Sequence, residues 1–157
     1  MWKKIKPYAL SVLLALAVGG LSAWITGDNM DIYSQINKPA LAPPGILFPI
    51  VWGILYVLMG ISAACVYVKR QTDPVAAERG LRTYLLSLAV NLLWSPVFFR
   101  GRAFLTALLL LVLLWVLILR TVMLYRKVSP AAAYLQLPYL AWVTFAGYLN
   151  LSIWVLN

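Results

Sequence analysis

The chain alternates between five long apolar blocks and short polar or basic segments. A helix needs ~20 apolar residues to cross a hydrocarbon core of ~30 Å, and each block meets that length. The predicted spans are residues 7–26, 46–68, 81–99, 103–123 and 132–156. The blocks are continuous runs of Leu, Ala and Val, unlike the alternating ten-residue strands of a membrane barrel. The pattern predicts an all-α membrane protein, a single domain built as a five-transmembrane-helix bundle.

The first block also has features of a signal peptide. Three lysines precede it, and the small residues of "GGLSA" close it. However, its apolar length exceeds the need of a signal peptide, and Ala15, Gly19 and Ala23 form a stripe of small residues suited to helix packing. We therefore expect the first block to be kept as a membrane helix. This stripe and a second one, Gly60 with Ala64, are candidate contacts for a dimer.

Composition supports the membrane assignment, and charge gives it a direction. The chain is 64% hydrophobic and 11% charged, against about 25% charged in soluble domains. The net charge of +9 does not indicate nucleic-acid binding, because the basic residues lie in ones to threes beside apolar blocks. Ten of them lie on the side of the N-terminus, and Lys38, Arg100 and Arg102 on the other. This bias predicts a cytoplasmic N-terminus, an extracytoplasmic C-terminus and an outward-facing first linker.

The third span carries polar and aromatic residues on one helical face: Asn91, Trp94, Ser95 and Phe98. An amide at mid-membrane is unfavourable unless it is satisfied. Asn91 is therefore expected either to face a cavity or to form an interhelical hydrogen bond, and the spacing leaves both open.

Tryptophans on the second and fifth spans show a related pattern. Trp52 shares a face with Phe48, Tyr56 and Gly60, and Trp142 shares one with Pro138, Ala146 and Leu149. Trp2, Trp24 and Trp154 lie near span ends, as expected of an interfacial belt. Trp52, Trp94 and Trp142 are instead candidates for the walls of a flat aromatic cavity, since indole faces stack well on planar ligands.

The first linker and the start of the second span hold four prolines: Pro39, Pro43, Pro44 and Pro49. Proline restricts the backbone and prevents a helix from running through. The linker is therefore either a stiff lid over Trp52 and Tyr56 or simply a helix terminator, and the residues leave this undecided.

Several kinds of chemistry have no support in the sequence. The chain has no histidine, and its four acidic residues all fall in linkers. The spans thus hold no paired carboxylates, no metal-ligand cluster and no nucleophilic triad. Cys65 is the single cysteine and excludes an intrachain disulfide. We expect no metal and no resident cofactor, and any reaction would have to use Trp or Tyr side chains.

Three segments carry a resemblance to a known family: "KPALAPPGILFPIVWGILY", "NLLWSPVFF" and "PYLAWVTFAGYLN". In order and spacing they resemble the signature segments of the TspO/MBR family, and the resemblance covers the whole chain. It implies a five-helix bundle, usually a homodimer, whose pocket beneath the first linker binds porphyrins and isoquinoline- or benzodiazepine-type drugs. The ligand-binding residues it implies, with Leu149 added from the shared face, are Tyr33, Pro43, Trp52, Tyr56, Asn91, Trp94, Trp142, Ala146 and Leu149.

The chain departs from the family pattern in places. Leu41 stands where an aromatic residue is common in the family. Pro49-Ile50-Val51 stands where family members often have Gly-Pro-Val. The C-terminal "LNLSIWVLN" lacks the Tyr and Lys or Arg of the proposed cholesterol motif. The charge bias fits a bacterial cell membrane.

Three functions follow as expectations. The first is a receptor or sensor for porphyrins. The second is light-dependent degradation of protoporphyrin, for which the resemblance points to Trp52 and Trp142. The third is a transporter of porphyrins or other small molecules, although the lack of intramembrane charge argues against ion coupling.

Overall fold

A computed structural model describes residues 1–27 and 31–157, and Asp28, one of the four linker acids, lies outside this part. The helices are α1 (Trp2–Thr26), α2 (Ile32–Gln35), α3 (Leu47–Val68), α4 (Pro74–Ser95) with a π-helical turn (Pro96–Arg100), α5 (Phe104–Val128) and α6 (Pro130–Leu156). Five of them are long and apolar enough to cross a membrane. The predicted five-helix bundle is confirmed.

Most of the long helices extend beyond the predicted spans at the end of the bundle that holds the N-terminus. The reason is that an apolar run marks the hydrocarbon core, whereas helical hydrogen bonds continue into the polar interface. Two of these extensions are capped by side chains: Asp73 accepts from the Ala76 amide at 3.0 Å and Ser129 from the Ala132 amide at 3.4 Å. Hydropathy therefore located the membrane crossings but underestimated the lengths of the helices.

The long helices follow one another around the bundle in the order α1, α3, α6, α5, α4 and back to α1. The fully buried side chains include Tyr84, Tyr125 and Tyr139. By contrast, only 17% of the most apolar stretch of α1 is buried, the lowest share among the five long helices. The N-terminal helix is thus the most loosely covered member of the bundle.

Small residues bring α1 and α3 close together at two levels of the bundle. A Cβ atom on Gly60 would lie 2.5 Å from the Cα atom of Val12, and one on Gly19 would lie 2.4 Å from Cε2 of Tyr56. Ala15 is fully buried. Of the small residues considered above as dimer contacts, Ala15, Gly60 and Ala64 are corrected because they are buried within one chain, whereas Ala23 is exposed.

Pro96 shapes the end of α4. Proline has no amide hydrogen and displaces the carbonyl four residues earlier, which here belongs to Leu92. The backbone continues as a wider π-helical turn, closed by the Gly101 amide donating to the Pro96 carbonyl at 2.9 Å. The Ser22 hydroxyl of α1 donates to the Leu92 carbonyl at 3.3 Å. A backbone group that would be unsatisfied in lipid thus ties α4 to α1.

The first linker (residues 27–46) is fastened to the end of α6, in the part that is described. The Asn37 amide donates to Oδ1 of Asn157 at 3.1 Å, and Nδ2 of Asn157 donates to the Asn37 carbonyl at 2.9 Å. The Tyr33 hydroxyl donates to the Pro43 carbonyl at 2.7 Å, and burial raises the pKa of this phenol above its ordinary value. The end of the bundle that carries this linker is called the linker end below.

Candidate functional site

A hollow of about 350 Å³ lies between α1, α3 and α4 at the linker end. Its walls come from Leu16–Gly27 of α1, Phe48–Tyr56 of α3 and Asn91–Phe99 of α4 with its π-turn. Several lining residues, among them Gly20 and Ala23, are also exposed on the outside of the bundle. The hollow therefore reaches the surface beside α1.

Two glycines keep this space open. A Cβ atom built on Gly20 or Gly53 would meet no atom within 4 Å. Both residues line the hollow, so the empty space lies where their side chains would be. Gly19, adjacent to Gly20, contacts Tyr56 instead.

The polar groups of the walls are uncharged, and those on α1 and α4 form hydrogen bonds. Nδ2 of Asn91 donates to the Tyr139 hydroxyl of α6 at 3.0 Å, and Asn91 also lines the hollow. The Asn91 amide therefore both faces a cavity and forms an interhelical hydrogen bond, the two alternatives that its spacing left open. On α1, the Thr26 hydroxyl donates to the Ser22 carbonyl at 2.8 Å and lies 3.0 Å from the Ser95 hydroxyl of α4. A ligand here meets a wall with few free polar groups.

Aromatic rings form the α3 and α4 walls. The Trp52 ring centroid lies 5.7 Å from that of Tyr56 and 6.5 Å from that of Trp94. The Trp94 indole is fixed because its N–H donates to Oδ1 of Asn150 at 3.1 Å. The amide of Asn150 in turn donates to the Phe104 carbonyl at 2.8 Å. The Trp94 indole is thus held in place by side chains of the bundle itself.

A second, much smaller cavity of about 10 Å³ lies on the other side of α4's aromatic residues, room for at most one water. Tyr33, Ala146 and Leu149 line this cavity and not the hollow. Three aromatic residues line both spaces: Phe48, Trp94 and Phe99. They form an aromatic partition between the two spaces.

The predicted site is therefore divided. Four of its nine residues line the hollow: Trp52, Tyr56, Asn91 and Trp94. Three more line the small cavity, namely Tyr33, Ala146 and Leu149. Trp142 and Pro43 line neither.

Trp142 is separated from the hollow by one ring. Its centroid lies 5.9 Å from that of Phe48, which lines the hollow, and 5.6 Å from that of Phe145. Its indole N–H is buried without a hydrogen-bond partner. Trp52 and Trp142 are thus not two walls of one space, because Phe48 stands between them.

The described part of the first linker contributes little to the walls of the hollow. Of the described linker residues, only Gly27 lines the hollow, while Tyr33 covers the small cavity and Asn37 is fastened to α6. Residues 31–46 therefore do not contribute to the walls of the space beside Trp52 and Tyr56.

Sequence reasoning missed the contribution of α1. Leu16, Gly20 and Gly27 line the hollow, and their spacing of four and seven residues marks one side of a helix. That signal was present, but the small residues beside them were interpreted as a packing stripe. Gly53, whose missing side chain opens the α3 wall, gave no periodic signal of its own.

These features define an integral membrane protein of five helices with an aromatic, uncharged hollow beside its N-terminal helix. The chain belongs to the TspO/MBR family, whose model matches residues 11–155.

Its relatives include bacterial, archaeal and animal proteins. The tryptophan-rich protein TspO of Chlorobaculum tepidum is 38% identical over 162 aligned positions, covering 100% of this chain and 99% of that protein. Protein CrtK of Rhodobacter capsulatus is 41% identical over 125 residues, covering 80% of this chain and 78% of that protein. The human translocator protein is 33% identical over 153 residues, covering 98% of this chain and 89% of that protein.

Proposed function

We propose that this protein is a membrane receptor or sensor that binds porphyrins, and with them isoquinoline- and benzodiazepine-type drugs, in the hollow. The observation that carries the proposal is the set of neighbouring rings of Trp52, Tyr56 and Trp94 around an uncharged space of about 350 Å³. Small-molecule sites are mostly apolar, with a few placed polar groups, and begin at about 300 Å³. The names of two relatives, a tryptophan-rich sensory protein and a translocator protein, agree with this class of function.

Stacking is the expected mode of recognition. Offset and edge-to-face ring contacts stabilise a complex by about 0.5–1.5 kcal/mol each beyond the burial of area. Asn91 supplies the uncharged amide among these rings, held by Tyr139. Such a site favours flat molecules over flexible chains, because a flat ligand loses little conformational freedom on binding.

The test fills the hollow without disturbing the bundle. Gly53→Leu places a side chain in space where a Cβ meets no atom within 4 Å. Protoporphyrin IX and an isoquinoline carboxamide are titrated against the purified protein in an uncharged detergent, with tryptophan fluorescence quenching as the readout. We expect Gly53→Leu to weaken both ligands about tenfold or more, equal to about 1.4 kcal/mol.

The matched control is Gly147→Leu. A Cβ on Gly147 also meets no atom within 4 Å, but this residue of α6 lines neither the hollow nor the small cavity. Its variant should bind like the unchanged protein. Equal affinity in Gly53→Leu and Gly147→Leu would overturn the proposal.

A second candidate, light-dependent degradation of the bound porphyrin, is favoured by one observation. Two oxidisable indoles, Trp52 and Trp94, have ring centroids 6.5 Å apart and both line the hollow. Illumination of the complex in air, followed by porphyrin absorbance, tests it. Bleaching that is as fast in a Trp52→Phe, Trp94→Phe double variant as in the unchanged protein would exclude a role for these indoles.

We also propose the setting in which the site works. The excess of basic residues at the N-terminal end supports a cytoplasmic N-terminus in a bacterial cell membrane, with the hollow near the outer surface. A homodimer remains our expectation from the family.

A further inference from the structure

Arg100 is the cation at the rim of the hollow. It follows Phe99, which lines the hollow, and its Nη1 donates to the Ile25 carbonyl at 3.3 Å. The next two residues of α1, Thr26 and Gly27, are lining residues as well. The exposed guanidinium therefore sits between the ends of α1 and α4, beside the mouth of the space.

The interior offers nothing that could neutralise an anion. Apart from the Tyr56 phenol, the described lining residues carry no ionisable side chain. A carboxylate placed among Trp52, Trp94 and Phe99 would be desolvated without a counter-charge, which is strongly unfavourable. Any acidic group on a ligand must therefore stay at the rim.

The size of the hollow also supports an orientation in which the acidic groups of a ligand stay at the rim. A volume of about 350 Å³ lies near the lower end of small-molecule sites. A tetrapyrrole macrocycle is too broad to be enclosed fully, so one edge projects through the mouth. Protoporphyrin IX carries both carboxylates at one edge, and that edge is the one that can remain hydrated.

The other two described cations of the linker end lie next to other groups. Lys38 donates to the Tyr33 carbonyl, and its Nζ lies 4.8 Å from the centroid of the Tyr33 ring. Arg102 has a φ of 50° and lines a separate surface groove with Trp154. Among the described residues no carboxylate forms an ion pair with Arg100. Its guanidinium is therefore placed to bind a carboxylate in the forked geometry that Arg favours.

We propose that Arg100 gives the site a preference for planar ligands with a carboxylate at one edge, the apolar body in the hollow and the acid at the rim. The inference rests on the proposed function and names the substrate class of the same site. It makes Arg100 a specificity-determining residue that acts outside the aromatic walls.

The experiment compares protoporphyrin IX with its dimethyl ester, which has the same ring and no acid. Both are titrated against the unchanged protein, Arg100→Gln, Arg100→Lys and Arg102→Gln in an uncharged detergent. An exposed ion pair contributes at most about 1 kcal/mol, so the unchanged protein should prefer the acid by about threefold to fivefold. Arg100→Gln should abolish the preference while ester affinity stays constant, and Arg100→Lys should keep part of it.

Arg102→Gln is the matched control, since it removes the same charge two residues away and should keep the full preference. Partition of the two porphyrins into micelles is the same for every variant and cancels in the comparison. The inference is overturned by equal acid and ester affinities in the unchanged protein, by a preference that survives in Arg100→Gln, or by one lost equally in Arg102→Gln.

The two proposals fail in different ways. Ester binding that is lost in Gly53→Leu but shows no dependence on Arg100 leaves the receptor proposal standing and rejects the role of Arg100. Absence of binding of both porphyrins to the unchanged protein rejects both proposals.

Discussion

The two halves of the α1–α3 pair use glycine in opposite ways. Near the N-terminal end, Gly60 lies so close to α1 that a Cβ would be 2.5 Å from the Val12 Cα atom. At the linker end, Gly20 and Gly53 border empty space, and a Cβ on either would meet no atom within 4 Å. The helices therefore touch in the N-terminal half of the pair and border a cavity in the linker half.

The difference shows how a loosely held helix can carry a site. Close backbone contact at Gly60, with the Ser11 hydroxyl donating to the Gly60 carbonyl at 2.7 Å, fixes the pair at one end. Dispersion between closely packed atoms drives such contacts in lipid, where no hydrophobic effect operates between helices. Because that end is fixed, the linker end can stay apart without loss of the bundle.

The largest expected effect comes from breaking the contact. Gly60→Val forces Cβ into the backbone of Val12, and overpacking of this kind destabilises by about 1–3 kcal/mol. The apparent midpoint of unfolding in detergent should fall clearly. Gly147→Val, on an open face of α6, is the control. Similar losses in the two variants would mean that α1 and α3 are not held by this contact.

The next effect comes from filling the cavity from its other wall. Gly20→Leu should lower porphyrin affinity about tenfold while the unfolding midpoint changes little. Since Gly20 and Gly53 border the same space, combining both leucines should cost less affinity than the sum of the two single changes. Full additivity would place the two glycines on separate binding spaces and contradict the description of one hollow.

How far the sequence predicts this arrangement depends on the kind of information. The crossings and the faces of single helices follow from apolar length and period, so Trp52, Asn91 and Trp94 were assigned correctly to an inward face. No single segment of the sequence specifies the order of the helices around the bundle. Trp142 has the same local pattern as Trp52, yet Phe48 separates it from the hollow.

Neighbouring residues can also have the same local sequence pattern and yet different roles in the structure. Gly19 and Gly20 differ only in whether Tyr56 of α3 reaches them, which depends on the rotation of α1 against α3. Asn150 was not singled out, because its role lies in accepting from the Trp94 indole of another helix. Such pairings become visible only in three dimensions.

A smaller effect is expected from the hydrogen bond that fixes the α4 wall. Trp94→Phe removes the donor to Oδ1 of Asn150, a contact that is buried. Interhelical hydrogen bonds of this kind contribute about 0.6 kcal/mol on average and at most about 1.7 kcal/mol. Unfolding midpoints measure the loss. Trp115→Phe, which removes the exposed indole donor to Thr144, should cost less, and the opposite order would show that the Asn150 contact does not fix the wall.

The smallest effect is expected at Trp142. Its indole N–H is buried without a partner, so Trp142→Phe removes an unsatisfied donor and should leave the unfolding midpoint unchanged or slightly higher. Its ring contacts Phe48 and does not line the hollow. Porphyrin affinity should therefore change by less than about twofold, whereas Trp52→Phe, in the wall itself, should weaken binding more. Equal losses in the two variants, measured by the same titration, would mean that a ligand moves Phe48 aside and joins the hollow to the space beyond the aromatic partition.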